Sequence, residues 1–184
     1  MKAAHKGIFV FVVICIGFYI LWIRYEKDLR RETAPPSSYA KIDQFKAHGV
    51  PVFETIKTDG SPYSLEQLKG KVLIISFWAT WCAPCIEEFP SMMRMLDQLP
   101  DIVMVGISAD QSQKEVDEFV KNFGGLGRAN FVSLWDPSLR VAEMYGTEKI
   151  PENYIVGKDF KLIKKFSSIE RWDSPEMIEF LRSL

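Results

Sequence analysis

Val72 to Trp78 is a continuous apolar run that passes through a Thr80-Trp81-Cys82 corner into apolar residues at helical spacing, Ile86, Phe89, Met92, Met93, Leu96 and Leu99. A run of this kind, without polar alternation, reads as a strand buried on both faces, and such strands belong to sheets with helices packed on both sides. The chain is thereby constrained to a layered α/β architecture, with the segment Cys82-Ala83-Pro84-Cys85 opening a helix at the end of a central strand. Pro90 removes one donor from that helix and predicts a kink in it.

The remaining pattern agrees. Ser64 to Leu68 has a capping-box spacing and predicts a short helix ending at Gly70. Ile102 to Ile107 reads as a second buried strand, and Ser112-Gln113-Lys114-Glu115 caps a helix closed by Gly124-Gly125. A third strand is expected over Asn130 to Leu134, with a helix from about Ser138 to Tyr145. Tyr154 to Val156 and Leu162 to Phe166 flank a Gly157-Lys158-Asp159 turn and predict an antiparallel hairpin. Ser174-Pro175 starts a final helix. The expected product is an α/β sandwich with a mixed sheet.

The first quarter of the chain is different. Ile8 to Ile23 carries no charge and is flanked by Lys6 and Arg24, with Trp22 and Tyr25 at interfacial positions, so it is expected to sit in a membrane as one uncleaved helix. Lys2 and Lys6 precede it and Arg24, Lys27, Arg30 and Arg31 follow, a basic-residue count that taken alone favours a cytoplasmic domain. Thr33 to Ser38 has linker composition. The expected division is tail, anchor and juxtamembrane segment over 1–31, linker over 32–49, and one folded domain over 50–184.

With 23 basic against 24 acidic residues and no long basic run beyond the N-terminal quarter, nucleic acid is not an expected partner. Three cysteines do not make a disulfide framework, since Cys15 lies in the apolar run and the other two form the CxxC. A zinc site would need two further ligands, and only Cys15, His5 and His48 are available, so no metal is expected. The redox reading remains. At a helix start Cys82 faces free N–H groups and the positive end of the dipole, which favour the thiolate, while Cys85 lies inward and within reach to resolve a mixed disulfide.

Phe77-Trp78-Ala79-Thr80-Trp81-Cys82-Ala83-Pro84-Cys85 resembles the active-site segment of the thioredoxin superfamily, and more narrowly of the membrane-anchored TlpA, ResA and CcmG-like extracytoplasmic thiol-disulfide oxidoreductases. Asp59-Gly60, the stretch Ser64 to Val72, Pro90 and Ile150-Pro151-Glu152 extend the likeness over roughly Val50 to Leu184. The resemblance implies a thioredoxin fold with an inserted α/β unit, made of the helix after Ser112 and the strand near Phe131. It implies a cis Pro151 beside the cysteines, and a substrate surface made by Trp81, Ala83, Pro84 and Ile150. No cofactor is implied beyond the Cys82-Cys85 disulfide itself. The implied partners are protein thiols and disulfides, with a membrane thiol protein as electron donor. The implied location is the inner membrane with the domain outside the cytoplasm, and the implied role is reduction, as in cytochrome c maturation or metal-site assembly. An oxidase, a copper chaperone or a peroxiredoxin are the rival chemistries on this fold. Two departures stand out: Ser76 occupies the position of a buried Asp or Asn, and Asn153 that of a Thr. With no carboxylate at Ser76, Glu152 is the expected proton relay, while Glu87 and Glu88 read as favourable charges in a helix first turn.

Overall fold

The computed structural model describes residues 15–26, 37–57 and 59–184. Residues 15–26 are helical (α1) and belong to one unit; the chain from Ser37 to Leu184 forms another. No helix among the described residues is long and apolar enough to cross a membrane. The expected anchor is described only from Cys15 onward, and Lys2, His5, Lys6, Ile8, Lys27, Arg30, Arg31, Thr33 and Thr58 lie outside the described residues.

The second unit begins with a helix where the composition predicted linker. Ser37–His48 forms α2, and its Phe45 is buried among Phe53, Tyr63 and Tyr145. A short stretch of mixed polarity hides such a helix, because Ile42 and Phe45 give only one apolar pair at helical spacing. Two short strands, β1 (Glu54–Ile56) and β2 (Pro62–Ser64), then pair antiparallel, followed by a single 3-10 turn at Leu65–Leu68 that Ser64 caps.

The main sheet contains β3 (Val72–Trp78), β4 (Ile102–Ser108), β5 (Phe131–Trp135), β6 (Glu152–Val156) and β7 (Leu162–Phe166), in the order β5-β4-β3-β6-β7. It is mixed: β3, β4 and β5 run parallel, and β6 and β7 are antiparallel to their neighbours. Every residue of β3 and β4 is buried, as their unbroken apolar runs require. The helices between and after the strands are α3 (Ala83–Gln98), α4 (Gln113–Asn122), α5 (Arg140–Tyr145) and α6 (Pro175–Arg182). Ser112 and Ser174 accept the N–H groups of Glu115 and Met177 as N-caps, and Gly146 ends α5 in the left-handed region at φ 68°.

Period-two alternation divides the core. Ile74, Trp78 and Ile155 face α3, α4 and α6, whereas Leu73, Ile75, Phe77, Tyr154 and Val156 face α2, α5 and the small sheet. The heart of the first layer is aromatic: Phe89 of α3 lies 5.4 Å from Trp78, 5.1 Å from Phe119 and 5.8 Å from Phe131 between ring centroids. Because β6 runs antiparallel to β3 with Glu152 opposite Phe77, the segment before β6 lies beside the end of β3 from which the CxxC corner departs. That register positions the site.

Candidate active site

At this corner Cys82 and Cys85 are joined by a disulfide, with an S–S distance of 2.13 Å. Cys82 is the N-cap of α3, and its sulfur faces the Cys85 N–H at 3.3 Å, so the helix begins where the sequence placed it. Although Cys82 heads the helix and Cys85 was expected inward, both cysteines are almost fully buried. Cys82 is 5% exposed and Cys85 3%. What distinguishes them is position, since Cys82 heads the helix with extended backbone while Cys85 lies within its first turn. Ala83 and Pro84 between them are exposed, and Trp81 is 67% exposed.

The Ile150-Pro151 peptide bond is cis, as the resemblance implied. Pro151 is buried, and β6 begins only at Glu152, so Ile150 lies beyond the β3–β6 ladder. Ile150 and Trp81 share a groove of about 410 Å³ whose walls also include Phe77, Ile107, Leu139 and Glu148. Two of the four residues expected on the substrate side thus line one concavity, and Ala83 and Pro84 stand outside it.

Glu152 is not placed to serve the cysteines. It is 3% exposed, and its carboxylate pairs with the Lys165 ammonium at 2.8 Å and accepts the Ser167 and Tyr154 hydroxyls, both at 3.1 Å. Alternation along β6 puts Glu152 on the Tyr154 face of the sheet, and the cysteines belong to the opposite layer. The proton-relay assignment to Glu152 is corrected accordingly.

The carboxyl on the cysteine side is Glu88, expected only as a favourable charge in the helix first turn. It is 2% exposed and lies three residues after Cys85 on α3, hence on the same helix face. Its Oε1 accepts the Trp172 indole N–H and the Asn153 amide at 3.0 Å, and the Glu170 backbone N–H also donates to its carboxyl. Burial nevertheless outweighs these donors and pushes its pKa up from 4.5 to about 7. Asn153 stands directly opposite Ser76 in the β3–β6 register, so the two departures from the family pattern are neighbours. A buried acid stands instead on the helix, where Asn153 donates to it. The signal was present in the sequence: position 88 follows Cys85 by three residues and precedes Met92 by four, a spacing that turns inward.

Among the described residues no group of three or more His, Cys, Asp or Glu side chains could hold a metal ion. What the site can perform is thiol-disulfide exchange: two sulfurs at a helix N-terminus, an adjoining apolar groove, and a buried carboxyl titrating near neutrality.

Comparison with known proteins agrees with this geometry. A family model described as the AhpC/TSA family matches residues 46–165. The thiol-disulfide oxidoreductase ResA of Bacillus subtilis (strain 168) is 29% identical over 116 residues, covering 62% of this chain and 63% of that protein. The thioredoxin-like protein YneN of the same organism is 35% identical over 118 residues, covering 62% of this chain and 64% of that protein. The chain thus spans slightly less than two thirds of the length of these relatives. A secreted Mycobacterium tuberculosis disulfide oxidoreductase homologous to E. coli DsbE superposes with a TM-score of 0.63 at 20% identity, covering 77% of this chain and 98% of that one. That likeness establishes the thioredoxin-like α/β fold, with its mixed sheet and flanking helices.

Proposed function

The chain belongs to the AhpC/TSA family, and from that premise we propose that it is a thiol-disulfide oxidoreductase that reduces disulfides in protein substrates through Cys82 and Cys85. The observation that carries this reading is the Cys82–Cys85 disulfide at the head of α3, with Glu88 buried one helical turn beyond it.

In the dithiol form, the Cys82 thiolate attacks one sulfur of a substrate disulfide. That S–S bond breaks, a mixed disulfide forms, and the first substrate sulfur leaves as a thiolate and takes up a proton. Cys85 then loses its proton and attacks the Cys82 sulfur, which re-forms the Cys82–Cys85 bond and releases the second substrate thiol. Two electrons pass to the substrate. Cys85 needs a proton acceptor for the second step, and Glu88, poised near neutrality on the same helix face, is the group for it. When ionised, Glu88 also disfavours a second negative charge beside it, which makes the dithiol a readier electron donor. An extended substrate segment fits across Trp81 and the Ile150 backbone, outside the β3–β6 ladder, with an apolar side chain in the groove.

The finer assignment belongs to the same proposal. Ile8 to Ile23 tethers the domain to the inner membrane with its fold outside the cytoplasm, a membrane thiol protein resupplies electrons, and the substrates belong to cytochrome c maturation or metal-site assembly. The uncharged run, its aromatic flank and the resemblance to the anchored group support this. C-terminal fusions test the location: alkaline phosphatase should be active and GFP dark, and the reverse pattern would place the domain in the cytoplasm. The activity is tested with the reduced full chain and a disulfide-bonded protein, by following thiol release. Cys82→Ser should abolish turnover. Peroxide consumption faster than disulfide reduction would instead select the peroxiredoxin chemistry.

A further inference from the structure

Leu139 holds a backbone conformation that leucine does not favour, and its side chain is left outside the core. Among the described residues, Leu139 and Phe160 are the non-glycine residues with positive φ, at 58° and 62°. In this left-handed region Cβ crowds the following carbonyl oxygen, so a bulky residue is strained there unless its surroundings over-determine it. For Phe160 they do, since the ring is 7% exposed in the layer that holds Tyr154, and its carbonyl accepts the Val50 N–H at 2.8 Å. Leu139 has no such packing. It is 43% exposed, belongs to neither core layer, and lines the groove shared by Trp81 and Ile150. Buried Asp136 fixes that conformation. Its own N–H donates to the Ser108 carbonyl at 2.9 Å, at the end of β4, and its carboxylate accepts the N–H groups of Arg140, Val141 and Ala142 at 3.1, 2.8 and 3.2 Å. The Leu139 N–H donates to the Asp136 carbonyl at 3.0 Å, so Leu139 is bent into the turn between β5 and the first N–H groups of α5.

We propose that Leu139 is a specificity-determining residue: with Trp81 and Ile150 it selects substrate disulfides whose cysteines are flanked by a bulky apolar side chain. This rests on the reading of Cys82 and Cys85 as a redox pair. Trp81 immediately precedes Cys82 and Ile150 immediately precedes the cis Pro151, so the groove adjoins the sulfurs, and a residue beside the attacked cysteine falls against Leu139. An apolar side chain seated there takes its own surface and that of Leu139 out of water together. A serine or charged side chain in the same place loses water without gaining a partner on Leu139. This contact accounts for leucine at a position where glycine would be unstrained.

The test compares the reduced full-length chain on glutathione disulfide and on two synthetic peptides, each with one internal disulfide, that carry leucine or serine beside both cysteines. In every case the protein dithiol becomes its disulfide and the substrate disulfide becomes two thiols, which are labelled after an acid quench. Wild type should reduce the leucine peptide about tenfold faster than the serine peptide. In Leu139→Asn, where asparagine tolerates the left-handed region, that ratio should fall to about threefold or less, with the glutathione disulfide rate within about twofold of wild type. Leu139→Met keeps an apolar side chain and should keep the ratio. Leu139→Gly removes side chain and strain together, so the ratio should fall while the urea midpoint holds or rises. An unchanged ratio in Leu139→Asn overturns the proposal, as does an equal slowing on all three substrates, the mark of a merely structural contact. A lowered midpoint with an intact ratio in Leu139→Gly would make Leu139 a packing residue and overturns it too. A wild type that reduces glutathione disulfide but draws no distinction between the peptides refutes the proposal alone; one that reduces none of the three refutes the redox reading and the proposal with it.

Discussion

Glu88→Gln is the most informative substitution, because a single carboxyl controls a predictable part of the pH dependence of stability. Burial raises the Glu88 pKa from 4.5 to about 7 in the folded protein. The native state therefore binds this proton more tightly than the unfolded chain. Its stabilising contribution is complete below about pH 4.5 and is lost as pH rises through about 7. The difference of about 2.5 pH units, at 1.36 kcal/mol each, amounts to about 3 kcal/mol across that window. Glutamine has no such proton, and it fits the site: its oxygen can accept from Trp172, and its amide can donate to Asn153 Oδ1, a buried atom without a partner among the described residues once that amide is turned. The assay is urea unfolding of the disulfide form from pH 4.5 to pH 8.5, a form in which Cys82 and Cys85 do not titrate. Relative to wild type, Glu88→Gln should gain about 3 kcal/mol between the two ends, a midpoint change of roughly 1 to 3 M urea. Parallel stability curves for the two proteins would refute the assignment of a near-neutral pKa to Glu88, and with it the argument for Glu88 as proton acceptor.

Other outcomes follow from the same geometry. Cys85→Ser should accumulate mixed disulfides through Cys82, visible on non-reducing gels, and trapping that survives Cys82→Ser would reverse the two roles. Glu152→Gln should leave the pH profile of exchange unchanged, because its carboxyl faces Lys165 on the other side of the sheet; a shifted profile would contradict this. Lys165→Met should destabilise the fold by about 3 to 5 kcal/mol by leaving the Glu152 carboxylate buried and unpaired, as measured by chemical denaturation. Trp81→Ala should leave the unfolding midpoint nearly unchanged, since the side chain is largely exposed, and raise the KM for protein substrates several-fold.

Local chemistry made much of this protein legible. The run from Val72 to Trp78 read as a strand covered on both faces, and the two cysteines at its end, next to a helical pattern, as a candidate redox pair. Caps at Ser112 and Ser174 and the stop at Gly146 were equally plain, because each depends on groups within a few residues. The helix over Ser37–His48 was not, since its evidence is the cover it supplies to Tyr145 and Phe53 rather than any strong periodicity of its own. The same distinction governs the site. That Cys82 and Cys85 pair with each other was legible from the CxxC once too few further ligands remained for a zinc site. Which carboxyl lies on the cysteine side was decided by the β3–β6 register and by the side of the sheet each residue faces: one step along β6 sends Glu152 to Lys165 and Asn153 to Glu88. The hydrogen bond from the Thr80 hydroxyl to Asp110 spans 30 positions in the chain and exists only because β4 ends beside β3. Sequence determines short-range geometry through backbone preferences and hydrophobic period, whereas the burial that raises an acid's pKa and the partners that hold a turn come from distant segments, and only their packing together sets them.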